Sequence, residues 1–194
     1  MIDNNKDYLF LEIVRRRPRR VLELGPCHGR DTVALSALGS SVVAVEGRPG
    51  NCETVRRRVN SMVPNADVDV ILGDLETFDL NGLGRFDLVL ATGILYHLKR
   101  PWDLVARIQA VTDLCLGWSH VAPVASEQRE GYSGSPYVEG CGESAGLSPE
   151  SFWLTSESFL SCWIRVNGWR ACWLDTPSPH PNGGDAGQFL AEHV

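Results

Sequence analysis

The sequence predicts an α/β domain whose mostly parallel sheet carries helices on both faces. Three observations predict it. Between residues 20 and 120, short apolar runs alternate with helix-length segments, the pattern of consecutive βαβ units. The first run, Val21-Leu22-Glu23-Leu24, feeds a glycine-bounded turn, Gly25-Pro26-Cys27-His28-Gly29, that opens a helix. An acid ends or follows each of the first three runs: Glu23, Glu46 and Asp74.

Residues about 4–16 read as a helix, with Tyr8, Leu9, Leu11, Ile13 and Val14 on its apolar side. Arg15, Arg16, Arg17, Arg19 and Arg20 follow, interrupted by Pro18. They suit a phosphate-binding arm or a solvated helix end that complements the dipole; the acidic chain favours the second. Strand one spans about 20–24, and a helix about 30–38 is capped near Asp31 or Thr32. Strand two is Ser41–Glu46, and the helix over about 50–62 stops before Pro64. Strand three covers about 67–72 and strand four Phe86–Ala91. Pro101 suits a first helical turn, and that helix runs to about Val111. Strand five covers about 113–120.

The alternation then breaks. Residues about 121–152 are rich in Gly, Ser, Pro and Glu and read as a functional lid or a disordered segment. Thr155 can cap a helix over about 156–167 that ends at Gly168. Trp169–Leu174 and Gln188–Val194 read as strands joined by the loop Thr176–Gly187, an antiparallel pair at the sheet edge.

At 194 residues the chain suffices for one domain, 1–194, and is too short for two ordinary ones. A net charge of −6 opposes broad binding to nucleic acid or anionic membranes. No apolar run reaches the roughly 18 residues of a spanning helix, and Met1–Asp7 carries no apolar signal core. The six cysteines form no Cys-x-x-Cys pair, so reduced thiols, no metal and a cytoplasmic location are expected, in a monomer or homodimer.

In an open parallel sheet, ligands bind beyond the carboxyl ends of the strands, where strand order reverses. Glu23, Glu46, Asp74 and the segment 91–98 converge there. Gly25 and Gly29 let a ligand approach the backbone, and the helix start suits a carboxylate or phosphate. Glu46 follows the glycines by about twenty residues, the place of a ribose-diol acceptor. Asp74 can accept from an exocyclic amine. The spacing G-x-x-x-G is not the dinucleotide G-x-G-x-x-G, and no Walker lysine follows. NAD, FAD and ATP are thereby disfavoured.

Glu23-Leu24-Gly25-Pro26-Cys27-His28-Gly29, Val43-Ala44-Val45-Glu46, Leu72-Gly73-Asp74-Leu75 and Phe86-Asp87-Leu88-Val89-Leu90-Ala91, in this order, resemble the class I S-adenosylmethionine-dependent methyltransferases. The resemblance implies a Rossmann-like seven-stranded sheet with the last strand antiparallel. It implies S-adenosylmethionine as cofactor, S-adenosylhomocysteine as product and no metal. Glu23, Gly25 and Gly29 would border the methionine part, with Cys27 and Gly47 in the cofactor site. Glu46 would hold the ribose, Asp74 the adenine amine, and Leu75 would flank the ring. Ala91, Thr92 and Gly93 would floor the sulfonium. The family usually has glycine where Cys27 stands; a cysteine fits if that position is not left-handed. Gly93-Ile94-Leu95-Tyr96-His97-Leu98 with Pro101 is similar to a subgroup that includes wobble-uridine tRNA-modifying enzymes and many small-molecule enzymes.

His97 is the candidate base, because imidazole titrates near neutral pH; Tyr96 is a candidate to orient substrate or cofactor. His28 can meet the cofactor carboxylate through a ring N–H. His120, Tyr132 and Tyr137 are candidate acceptor contacts, and Glu127, Glu130 and Glu139 belong to the lid. Trp153, Trp163, Trp169 and Trp173 read as core. The expected function is methyl transfer to an oxygen or nitrogen of a small molecule. The alternatives are an RNA (tRNA) acceptor or a non-catalytic methyltransferase-like binding module.

Overall fold

The computed structural model describes residues 7–140, 142 and 145–194. Helix α1 is Asp7–Arg16; the start of the expected 4–16 helix lies outside the described residues. There follow β1 (Arg20–Leu24), α2 (Arg30–Ala37), β2 (Ser41–Glu46), α3 (Pro49–Met62), β3 (Val68–Leu72) and β4 (Leu88–Thr92). Then come α4 (Pro101–Val111), β5 (Leu114–Val121), β6 (Glu127–Arg129), β7 (Tyr132–Val138) and β8 (Glu150–Leu154). The chain closes with α5 (Ser156–Ile164), β9 (Trp169–Trp173), β10 (Ser178–Pro179) and β11 (Asp185–His193).

The main sheet runs β3-β2-β1-β4-β5-β11, with β9 and the two-residue β10 paired to the far side of β11. Strands β1 to β5 are parallel, and β11 is antiparallel to both β5 and β9. Strand order reverses between β1 and β4. The last strand, β11, thus lies between β5 and the earlier β9.

Period-two alternation divides the strand residues between two faces. Val21, Val42, Leu88 and Leu90 pack with Leu9 and Ile13 of α1 and Leu35 of α2. Ala44 and Val70 take Cys52, Val55 and Val59 of α3 on that same face. Leu22, Leu24, Val89 and Ala91 face Leu104, Val105 and Ile108 of α4 and Trp163 of α5. Thr155 caps α5 by accepting from Ser158 N at 3.3 Å.

The described part of the stretch 121–152 is not structureless. It holds a second, antiparallel sheet in the order β6-β7-β8. Its loop-like composition has a packing reason. A Cβ on Gly134 would stand 2.4 Å from Trp153 O and 2.7 Å from the Phe152 ring, so β7 lies against β8 only with glycine there. Strand β11 also starts earlier than expected, at Asp185, which shortens the predicted loop.

Three arginines of the run are engaged within the fold, while Arg17 and Arg19 are exposed. Arg15 and Arg16 pair with Glu12 at 2.7 and 3.0 Å, and Arg16 reaches Glu192 at 2.8 Å. Arg20 donates to the carbonyls of Arg85 and Leu83 and lies over the Phe86 ring. Among the described cysteines Cys52, Cys115 and Cys162 are buried free thiols, Cys27 is half-buried and Cys172 exposed. Among the described residues no helix is long and apolar enough to cross a membrane.

Candidate active site

A cavity of about 240 Å³ opens at the carboxyl ends of β1, β2 and β4, where strand order reverses. The turn after β1 forms one side. Gly25 has φ 66°, and its N–H donates to Val45 O at 2.9 Å. A Cβ there would meet Ile94 Cδ1 at 2.9 Å. Cys27 has φ 52°, so this non-glycine residue does occupy the left-handed region, contrary to the sequence expectation. The Glu46 carboxylate holds the turn in place. Its Oε2 accepts from Cys27 N at 3.0 Å, and its Oε1 accepts from Arg48 N at 3.0 Å and Asn51 Nδ2 at 3.3 Å.

After β3, Gly73 N–H donates to Glu46 O at 2.9 Å, which brings Asp74 to the same cavity. Asp74 is exposed, and its Oδ1 accepts from Glu76 N at 2.9 Å. After β4, Thr92 Oγ1 donates to Asp31 Oδ2 at 2.9 Å, and Gly93 N–H donates to Trp118 O at 2.9 Å. The next turn, 95–97, sets Tyr96 and His97 on the wall. Burial foremost, then the Glu139 carboxylate and Cys27, pushes the Tyr96 phenol well up, so it stays a neutral hydroxyl.

Of the residues singled out from sequence, Gly25, Cys27, Glu46, Gly47, Asp74, Leu75, Thr92, Gly93, Tyr96 and His97 line this cavity. The others stand elsewhere. Glu23 is buried within β1, and Ala91 is a core residue of β4. Gly29 packs under Val55, and His28 is exposed, its carbonyl accepting from Arg58. Tyr132 does not line this cavity: it is buried, stacked on Trp102 at 5.1 Å, with the Arg165 guanidinium 3.8 Å from its ring centre. Tyr137 stacks on Trp153 at 4.2 Å, and Trp153 stacks on His120 at 4.9 Å. His120 also touches the ring of Tyr96 at 4.6 Å, one layer behind the wall. Burial, His180 and His97 push His120 down to about 4. Its imidazole is therefore neutral at pH 7.

Sequence reasoning missed Arg48, Asn51, Trp118 and the roof at 145–148, all of which line the cavity. Arg48 and Asn51 follow Glu46 so closely that they were within reach of the strand-end argument. Leu147 carried no local signal.

The fold and cavity define a doubly wound α/β domain with its ligand site at the switch in strand order. A family model described as a methyltransferase domain matches residues 22–113. Protein-L-isoaspartate O-methyltransferase of Nitrobacter winogradskyi is 36% identical over 92 residues, 47% of this chain and 40% of that relative's length. The N-terminal domain of EvdMO1, solved in the presence of S-adenosylhomocysteine and D-fucose, superposes with a TM-score of 0.81. It is 26% identical, over 98% of this chain and 82% of that one. The 1,6-didemethyltoxoflavin-N1-methyltransferase of Burkholderia thailandensis shares the fold, with a TM-score of 0.68 at 20% identity over 98% of this chain and 77% of that one. Over residues 22–113 the chain is similar to the methyltransferase domain family, and its fold is that of S-adenosylmethionine-dependent methyltransferases.

Proposed function

We propose that this chain transfers a methyl group from S-adenosylmethionine to an oxygen or nitrogen of a small-molecule acceptor, with a hydroxyl favoured. One observation carries the reading: side chains from three strand ends and a glycine turn line a single cavity that also holds an imidazole. The residues suit the cofactor. Gly25 and Gly73 both line the cavity, and a Cβ on them would collide with Ile94 and Phe78, so these turns pack in this form only with glycine. Glu46 and Asp74 are acceptors for the ribose hydroxyls and the adenine amine, and Leu75 is an apolar flank. Thr92 and Gly93 form the floor.

When bound, S-adenosylmethionine supplies an electrophilic methyl group on a sulfonium. The protein's own contribution is orientation, worth roughly 7–11 kcal/mol when complete, and removal of the acceptor's proton, worth about 10²–10⁴ in rate. His97 takes that proton. Its Nδ1 is held by Glu139 at 2.7 Å, so Nε2 is the nitrogen left for the acceptor. A proton acceptor of this kind is needed by a hydroxyl more than by a neutral amine, and the D-fucose in the EvdMO1 domain points the same way. Three of the arginines that motivated an RNA acceptor, Arg15, Arg16 and Arg20, bind Glu12, Glu192 and backbone carbonyls, and the net charge of −6 opposes a polyanion, so the small-molecule reading stands ahead of it.

Calorimetric titration with S-adenosylhomocysteine tests the proposal. Saturable binding is expected; absence of binding heat at millimolar ligand overturns it.

A further inference from the structure

The chain crosses the cavity between β7 and β8, and contacts tie the described part of this crossing to the domain body. Arg48 Nη2 donates to the carbonyls of Ala145 and Gly146 at 3.1 and 2.9 Å. Leu147 packs on Gly47, where a Cβ would lie 2.6 Å from Leu147 Cδ1. A third tie runs through Glu139. Its carboxylate accepts from Gly146 N–H at 2.6 Å and lies 2.7 Å from His97 Nδ1. The Glu139 side chain is 5% exposed and that of His97 12%.

We propose that Glu139 is a positioning residue whose single carboxylate fixes both the tautomer of His97 and the roof of the cavity. The inference rests on the reading of His97 as the base. A carboxylate has two oxygens and about four lone-pair sites, enough to accept both bonds at once. An ionised carboxylate only accepts, so the Nδ1 that faces it carries the proton, and in the neutral ring Nε2 is then the nitrogen with a free lone pair. Burial raises the Glu139 carboxyl, but the bonds from His97 and Gly146 outweigh it and hold the group below the ordinary carboxylate range. The contact is close on every side: a Cβ on Gly146 would stand 3.0 Å from His97 O and 3.3 Å from Glu139 Oε2. The segment that roofs the cavity is thus attached to the residue that orients the base. Seating of the cofactor beneath Leu147 and orientation of His97 become one event.

The test uses the full chain, with S-adenosylhomocysteine as probe. Long-range ¹H–¹⁵N spectra report which ring nitrogen of His97 is protonated. The wild type should show the Nδ1–H tautomer; a wild-type Nε2–H tautomer overturns the proposal without any variant. Glu139→Gln keeps an acceptor oxygen and should retain Nδ1–H. Glu139→Ala should shift His97 toward Nε2–H and weaken S-adenosylhomocysteine binding about fivefold, the order of one lost hydrogen bond. A folded Glu139→Ala protein with the wild-type tautomer, or with undiminished affinity, overturns it. A wild type that binds no S-adenosylhomocysteine sinks the cofactor reading instead, and the tautomer comparison still decides what Glu139 does to His97.

Discussion

Cys27 pays a conformational cost for its place in the turn. Its φ of 52° lies where L side chains are strained. The backbone keeps this shape because Cys27 N–H donates to the Glu46 carboxylate at 3.0 Å. Two opposing effects govern a change to glycine: relief of about 1–2 kcal/mol of left-handed strain, against about 0.4–1 kcal/mol from a freer unfolded chain. Cys27→Gly should therefore leave stability within about 1 kcal/mol of wild type or slightly above it. Cys27→Val adds β-branching to the same conformation and should lose about 1–3 kcal/mol. Urea midpoints for the pair check this; a valine variant as stable as glycine would show that the turn relaxes. Glu46 is the other residue on which the turn depends. Glu46→Ala removes the acceptor for Cys27 N–H and Arg48 N–H together with the acceptor proposed for the ribose. It should weaken S-adenosylhomocysteine binding by about tenfold or more, on the order of 1.4 kcal/mol. An unchanged dissociation constant in calorimetry would remove Glu46 from the site. These two residues were legible in the sequence because each sits at a strand end or glycine turn. Glu139 was visible only as a lid acid, because its partner His97 lies 42 positions away in sequence and no local pattern joins them.

The elements show where composition misleads. β7, Tyr132–Val138, contains Ser133, Gly134, Ser135 and Pro136, which as a string reads as loop. Its register explains each choice. Gly134 faces Leu154 and makes room for the Phe152 ring, while Pro136 pairs with Phe152 beyond the reach of the short β6. A proline is tolerated where one side of the strand has no partner. Gly134→Ala should therefore cost about 1–3 kcal/mol, the usual range for overpacking a filled site. Gly140→Ala is the control, since nothing lies within 4 Å of a Cβ there. Equal thermal midpoints for the two variants would contradict the close approach of β7 to β8. The parallel strands were legible for the converse reason. β1, β2 and β5 are predominantly apolar because the sheet is covered on both faces, and every residue of β5 is buried.

At the scale of the molecule, alternating strands and helices specified the parallel half of the sheet, while the position of β11 between β5 and β9 is a long-range pairing that no local window contains. That insertion also encloses His120. The end of β5 carries it into a cluster with Tyr96, Trp118, Trp153 and His180. Burial, then His180 and His97, lowers its pKa from the ordinary 6.5 to about 4. In the unfolded chain it regains the ordinary value. Between about pH 6.5 and 4 the unfolded chain therefore holds a proton at this site that the folded chain refuses, and stability falls as pH drops. The contribution is whole above 6.5 and lost as pH falls to about 4. One proton corresponds to a slope of at most about 1.4 kcal/mol per pH unit. Glu12, Glu139 and Glu192 act in a lower window. Hydrogen bonds from Arg15 and Arg16 lower Glu12; for Glu139 and Glu192 burial is outweighed by bonds from His97 and Gly146 and from Arg170 and Arg16. Their stabilisation is present above the ordinary carboxylate range and disappears below about pH 4.5. Urea unfolding measured at unit steps from pH 7 down to pH 3 separates the two limbs. His120→Gln should flatten the limb between pH 6.5 and 5 and leave the acid limb in place. The same slope in the variant would assign the upper limb to another histidine and would mean that the cluster around His120 admits a proton without unfolding.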